Sequence, residues 1–189
     1  MTADNISTSI KTGNLQLTNR DKLAHYGIVG FLLFIFFMLV LFYVRNLFTD
    51  TRYTPETSKV LAIGAIIPGL LGILFYIIQR KRLKLKVTET SLPRATLDKI
   101  VAEVAEKLNW KFYIMEEKVI VAKTSPSFFS GSWGEQITIL FEKDKVYVNS
   151  ICDPNKQSSV VSLGRNKKNV NTLLQAITAA ENKQFEIKP

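Results

Sequence analysis

One histidine, His25, and one cysteine, Cys152, are all the chain holds of two residue types that often carry chemistry. A single thiol excludes an internal disulfide and fits a reducing compartment. His25 stands at the head of the first long apolar run, so a Ser–His or Cys–His couple has to be assembled across two regions of the chain. No second soft ligand accompanies Cys152, which argues against a metal site. Gly131-Ser132-Trp133-Gly134 lacks the following lysine of a phosphate-cradling loop. Neither long apolar run contains an ionisable residue, and a proton relay or ion path normally needs one. These lacks predict a protein without cofactor, metal or catalytic group. His25 reads as an interfacial polar residue and Cys152 as a small filler at a strand end.

What the chain does have is apolar length. Val60 to Gln79 is twenty uncharged residues between Lys59 and Arg80. At about 1.5 Å per residue, such a helix spans the roughly 30 Å of a bilayer's hydrocarbon core. Tyr26 to Val44 is a second uncharged run, bulky with Phe31, Phe34, Phe36, Phe37 and Phe42. Tyr26 and Tyr43 suit the two interfaces, and Arg45 can reach the far headgroups. The link Asn46–Ser58 contains Pro55 and, counted together with Arg45, carries no net charge. The second run, by contrast, ends in Arg80, Lys81, Arg82, Lys84 and Lys86. Basic residues just outside a span favour the cytoplasmic face. The expectation is a two-pass protein of the bacterial inner membrane with both termini cytoplasmic.

More than half of the net charge of +9 lies in that basic collar. Attraction to anionic phospholipid, about 1 kcal/mol per basic residue near the surface, accounts for it. Nucleic acid is a poorer account, because the downstream part is only mildly basic. The second span carries Gly64, Ala65, Pro68, Gly69 and Gly72 on adjacent helical positions. Small residues so spaced let helices approach closely. Two readings stand: the face receives the phenylalanines of the first span, or it docks another integral membrane protein.

Residues 1–17 are rich in Thr, Ser and Asn, lack periodicity and are expected to be a disordered arm. The first apolar run starts too far in, is too long and lacks a cleavage site, which reads against a secretory signal. Thr18 and Asp21 have capping-box spacing, so a helix is expected from Asn19. Residues 18–86 form the hairpin with its basic tail, and 87–93 a short linker. A globular block covers 94–184. In it Leu97, Ile100, Val101, Val104 and Leu108 stripe one helix, and Val170, Leu173, Leu174 and Ile177 stripe another near Lys167–Asn182. Between them lie Trp110–Met115, Lys118–Thr124, Gln136–Phe141 and Lys145–Ile151, read as two hairpins. The fold class is α+β, with two helices on one face of a four-stranded antiparallel sheet.

Two loops stand out. One carries Phe128, Phe129 and Trp133, which either cap the sheet's end or meet the bilayer or a partner. The other, Ser162 to Asn169, carries Arg165, Lys167 and Lys168 at a helix start. It reads either as a solvated start capped by Asn166 or as a site for a lipid headgroup or other anion. Ser132-Trp133-Gly134-Glu135, Asn149-Ser150 and Gly164-Arg165-Asn166-Lys167-Lys168-Asn169 resemble the signature of cytoplasmic tail domains in uncharacterised bacterial two-span membrane proteins. The resemblance covers about residues 95–180 and implies no activity. The functional expectation is an accessory or scaffold subunit of a larger membrane complex. The alternative is a module reading anionic headgroups. An enzyme acting on lipid or peptidoglycan intermediates through Glu135, Asp153 or Arg165 ranks last, because those residues lack a recognisable spacing.

Overall fold

The computed structural model describes residues 1–49, 53–126, 133–156 and 159–187. Helix α1 (Ala3–Thr12) is followed by α2 (Asn19–His25), α3 (Gly27–Phe48) and α4 (Pro55–Arg82). Strand β1 (Lys86–Glu89), helix α5 (Arg94–Lys107), strands β2 (Trp110–Met115), β3 (Val119–Thr124), β4 (Glu135–Glu142) and β5 (Lys145–Cys152), and helix α6 (Arg165–Ile187) complete the order.

Helices α3 and α4 are both long and apolar enough to cross a membrane. The Thr54 hydroxyl accepts the Thr57 N–H and Pro55 occupies the first turn of α4, where its missing N–H costs nothing. The two helices pack against each other along the small-residue face. A Cβ added at Gly69 would lie 2.9 Å from the Phe36 ring, and one at Gly72 would lie 3.0 Å from Leu33. Ala65 and Pro68 are buried in the same seam, and Gly64 faces Leu39. Of the two readings of that face, the arrangement is that of the first, the face receiving side chains of α3. The chain's own first span fills it, because close approach of two helices needs small residues on one of them and large ones on the other.

The sheet has five strands in the order β1-β5-β4-β3-β2, every neighbour antiparallel. The mixed α+β architecture holds; the strand count does not. The expected linker begins as β1, with Lys86 opposite Val148 and Glu89 opposite Lys145. Helices α5 and α6 cover one face, with Leu97, Val101, Val104, Leu173 and Ile177 against Ile137, Ile139 and Val148.

The other face is not open. Ile6 of α1, Leu15, Leu17 and Leu85 cover Val119, Val121, Leu140 and Ile151. The N-terminal arm is therefore ordered, contrary to expectation, and the domain has three layers. Local rules explain it. The Thr2 hydroxyl accepts the Asn5 N–H, and Gly13 closes α1 at φ 66°, a conformation glycine adopts freely. The chain then pairs with the end of α4: Leu15 N donates to Leu83 O (2.8 Å) and Leu85 N to Gly13 O (2.9 Å). The N-terminal arm and the C-terminal domain consequently sit at the same end of the α3–α4 pair.

Candidate functional site at the junction of hairpin and tail

The last turn of α4 is where the two halves of the chain meet. The Gln79 amide donates to His25 O at 2.8 Å and to Ser159 O at 3.4 Å. His25 Nε2 lies 3.1 Å from Gln79 O. A carbonyl can only accept, so the ring carries its proton on Nε2 here. His25 is buried, and that burial pushes its pKa below the ordinary 6.5; the hydrogen bond to Gln79 opposes the shift and the Arg82 charge adds to it. One turn on, Asn149 of β5 donates to Arg82 O (2.8 Å) and Lys84 O (3.1 Å). These carbonyls belong to the end of α4, where helical partners run out. Arg82 Nη1 approaches Cys152 Sγ at 3.9 Å. Burial raises the Cys152 pKa, with Arg82 working the other way, so the thiol stays protonated.

Behind this seam a buried polar chain ties β4 and β5 to α6. The Thr124 hydroxyl donates to the Glu135 carboxylate and accepts the Glu135 N–H. Arg165 Nε pairs with the same carboxylate at 3.2 Å. Trp110 Nε1 donates to Asn169 Oδ1 (3.2 Å), Asn169 Nδ2 to Ser150 Oγ (3.1 Å), and Ser150 Oγ to Asn166 Oδ1 (3.0 Å). Lys123 and Asp153 form a second buried ion pair at 2.8 Å. Gly134 lies at φ 119°, and a Cβ there would stand 2.6 Å from Thr124 O, so this corner needs glycine.

The three stretches that carried the resemblance thus converge on one cluster. The roles differ from expectation. Asn166 lies inside α6 and bonds across to Ser150; it does not cap the helix. Arg165 is engaged by Glu135, and Arg82 is half-buried against Cys152. Arg80, Lys81, Lys84, Lys167 and Lys168 remain exposed. Glu135 and Asp153 are both buried in ion pairs. Trp133 is exposed, and Phe128 and Phe129 lie outside the described residues. Sequence reasoning missed Gln79 and Trp110, and held Asn149 only within the resemblance, without its role at this junction. Asn149 carried a signal: an amide amid the apolar positions of a buried strand needs a partner.

At the opposite end of the sheet, α1 and α5 flank a groove of about 550 Å³ lined by Ile6, Leu97, Phe141, Lys118 and Lys145 among others. Arg94 crosses it, stacked 3.6 Å above the Phe141 ring and paired with Asp98. Chemically, the junction is a clamp. The Gln79 and Asn149 amide N–H groups are spent on main-chain carbonyls and fix the tail's orientation against α4. Gln79 Oε1 and Asn149 Oδ1 are buried without a hydrogen-bond partner among the described residues. No family model matches the chain, and no curated protein or solved structure matches it.

Proposed function

We propose that the protein is a two-pass component of the bacterial inner membrane, with both termini cytoplasmic, that serves as an accessory or scaffold subunit of a larger membrane complex. The observation that carries this reading is the clamp at Gln79 and Asn149. It joins a membrane anchor to a folded tail without a flexible tether, as a scaffold that must hold a partner at fixed height and angle requires. Because the small-residue face is filled internally, a partner meets the lipid-facing side of α3–α4 or the tail. Purification in mild detergent after crosslinking in cells tests this. A defined partner supports it; a protein that elutes alone and captures nothing ends it. A reporter fused after Pro189 tests the topology, and periplasmic activity alone would overturn it.

A second reading is favoured by the five exposed cations, Arg80, Lys81, Lys84, Lys167 and Lys168, gathered at the junction end. In this reading they hold anionic phospholipid headgroups. The full chain purified from membranes should carry anionic lipid in excess of its bulk share, and neutralising these five should remove the excess. Equal enrichment in the neutralised variant sinks it.

A further inference from the structure

We infer that the membrane-near rim of the tail, made of Trp133, Val161 and Leu163, is inserted among the lipid headgroups beside the hairpin. The inference rests on the reading of α3–α4 as membrane-spanning. All three side chains are turned outward: Trp133 is 53 % exposed, Val161 49 % and Leu163 68 %. They flank one feature. Trp133 precedes Gly134 and Glu135, Leu163 precedes Gly164 and Arg165, and Arg165 pairs with Glu135. The Val161 carbonyl accepts from Cys152 and Ser159 at the end of β5.

Their height is set by the clamp. Ser159, two residues before Val161, is bonded to Gln79, the last uncharged residue before Arg80. That is the level at which the apolar part of α4 gives way to its basic end, and so the level of the headgroups. The tail's rim therefore continues the lipid-facing surface of α3–α4 sideways. The backbone makes a special provision for Leu163. It is left-handed at Leu163 (φ 40°) and again at Gly164 (φ 85°). A bulky residue in that conformation is uncommon, and here its apolar side chain is 68 % exposed. The composition also fits: an indole and aliphatic side chains, with Lys167 and Lys168 exposed one turn away, match what lies at membrane interfaces.

The test uses the full chain in vesicles of mixed zwitterionic and anionic phospholipid, with and without bromine on the upper acyl chain. Bromine quenches an indole at short range. Trp110, buried and bonded to Asn169, is the other indole, so the Trp133 signal is the difference between wild type and Trp133→Phe. The expected result is a blue-shifted Trp133 component that brominated lipid quenches. Leu163→Asp should red-shift it and remove the quenching while the protein still floats with the vesicles and melts as before. A Trp133 component identical in the two lipids overturns the inference, whether water or a protein partner covers the indole. A wild-type chain that fails to float overturns the membrane reading beneath it, and the two failures are told apart by flotation alone.

Discussion

The hairpin and the sheet domain use the same aliphatic and aromatic residues in opposite directions. In α3–α4 the large side chains point outward, Phe34 being 61 % exposed, and the small ones face the seam. In the sheet domain the large side chains are inside, and Ile137, Ile139 and Leu140 have no exposed surface. Water drives the second arrangement by expelling apolar area, about 25 cal/mol per Å². In the membrane setting proposed above, lipid supplies no such drive between helices, so close van der Waals packing takes over, and that needs glycine and alanine at the contact. Where the two regimes meet, neither rule holds the parts together, and the chain uses buried hydrogen bonds at Gln79 and Asn149.

The sharpest break in this comparison is truncation of the same residue type in each region. Ile139→Ala empties a site enclosed by α5 and α6, and its loss should cost about 2–5 kcal/mol. That is a large share of a domain's usual stability of about 5–15 kcal/mol. Ile67→Ala, on the outward side of α4, should leave the melting transition of detergent-solubilised protein nearly unchanged. Equal destabilisation by both would mean that α4 is buried in a water-driven core and that the contrast is false.

The next break inverts the rule. Gly69→Leu enlarges a position that is filled to contact by Phe36. Overpacking of this kind costs about 1–3 kcal/mol and should push α3 from α4. Disulfide trapping between cysteines placed across the seam reports it as slower crosslinking. Leu70→Gly next door makes an outward residue smaller and should leave the trapping rate alone.

The hairpin was legible because few structures besides a membrane span call for a twenty-residue uncharged run with a charged end. The strands of the tail were legible by alternation, but their pairing was not. Val119-Ile120-Val121-Ala122 is apolar on both sides of the strand, and such a run implies cover on both faces of the sheet. A two-layer domain contradicts it. The missing cover came from Ile6, Leu15 and Leu17, too few and too widely spaced to look like a core by themselves. Thr2, Ile6, Ile10 and Gly13 nonetheless spell a capped helix with an i, i+4 apolar pair. At the junction, the stretches around Glu135, Ser150 and Arg165 pointed to the right cluster. The partnership of His25 with Gln79 crosses 54 residues and leaves no local pattern to read.

A smaller effect tests the joint itself. Gln79→Leu removes donors to His25 O and Ser159 O while keeping the volume. Two net hydrogen bonds of about 0.5–1.5 kcal/mol each are lost, so the domain should stay folded but loosen at its attachment. Hydrogen exchange should quicken between residues 159 and 164 and around His25, with β3 and β4 unaffected. Uniform quickening through the sheet would show that the joint and the core form one cooperative unit.

The smallest effect is acid sensitivity at the same joint. His25 is held below 6.5 chiefly by burial, so the folded protein favours its neutral ring while the unfolded chain titrates normally. Below 6.5 the unfolded state binds the proton first, and stability falls as pH drops toward the lowered folded value. The contribution is complete above 6.5 and declines beneath it. The charged group facing the ring from α4 is Arg82, whose repulsion acts in the same sense. Protonation also changes the contact with Gln79 little, because Nε2 already donates there; the effect comes from placing charge in an apolar seam. Melting wild type and His25→Asn between about pH 7.5 and pH 5 isolates this contribution from the carboxylates, which titrate mostly lower. Wild type should lose stability across that interval more steeply than the variant, and parallel slopes would show that His25 is not the group that senses acid at the joint.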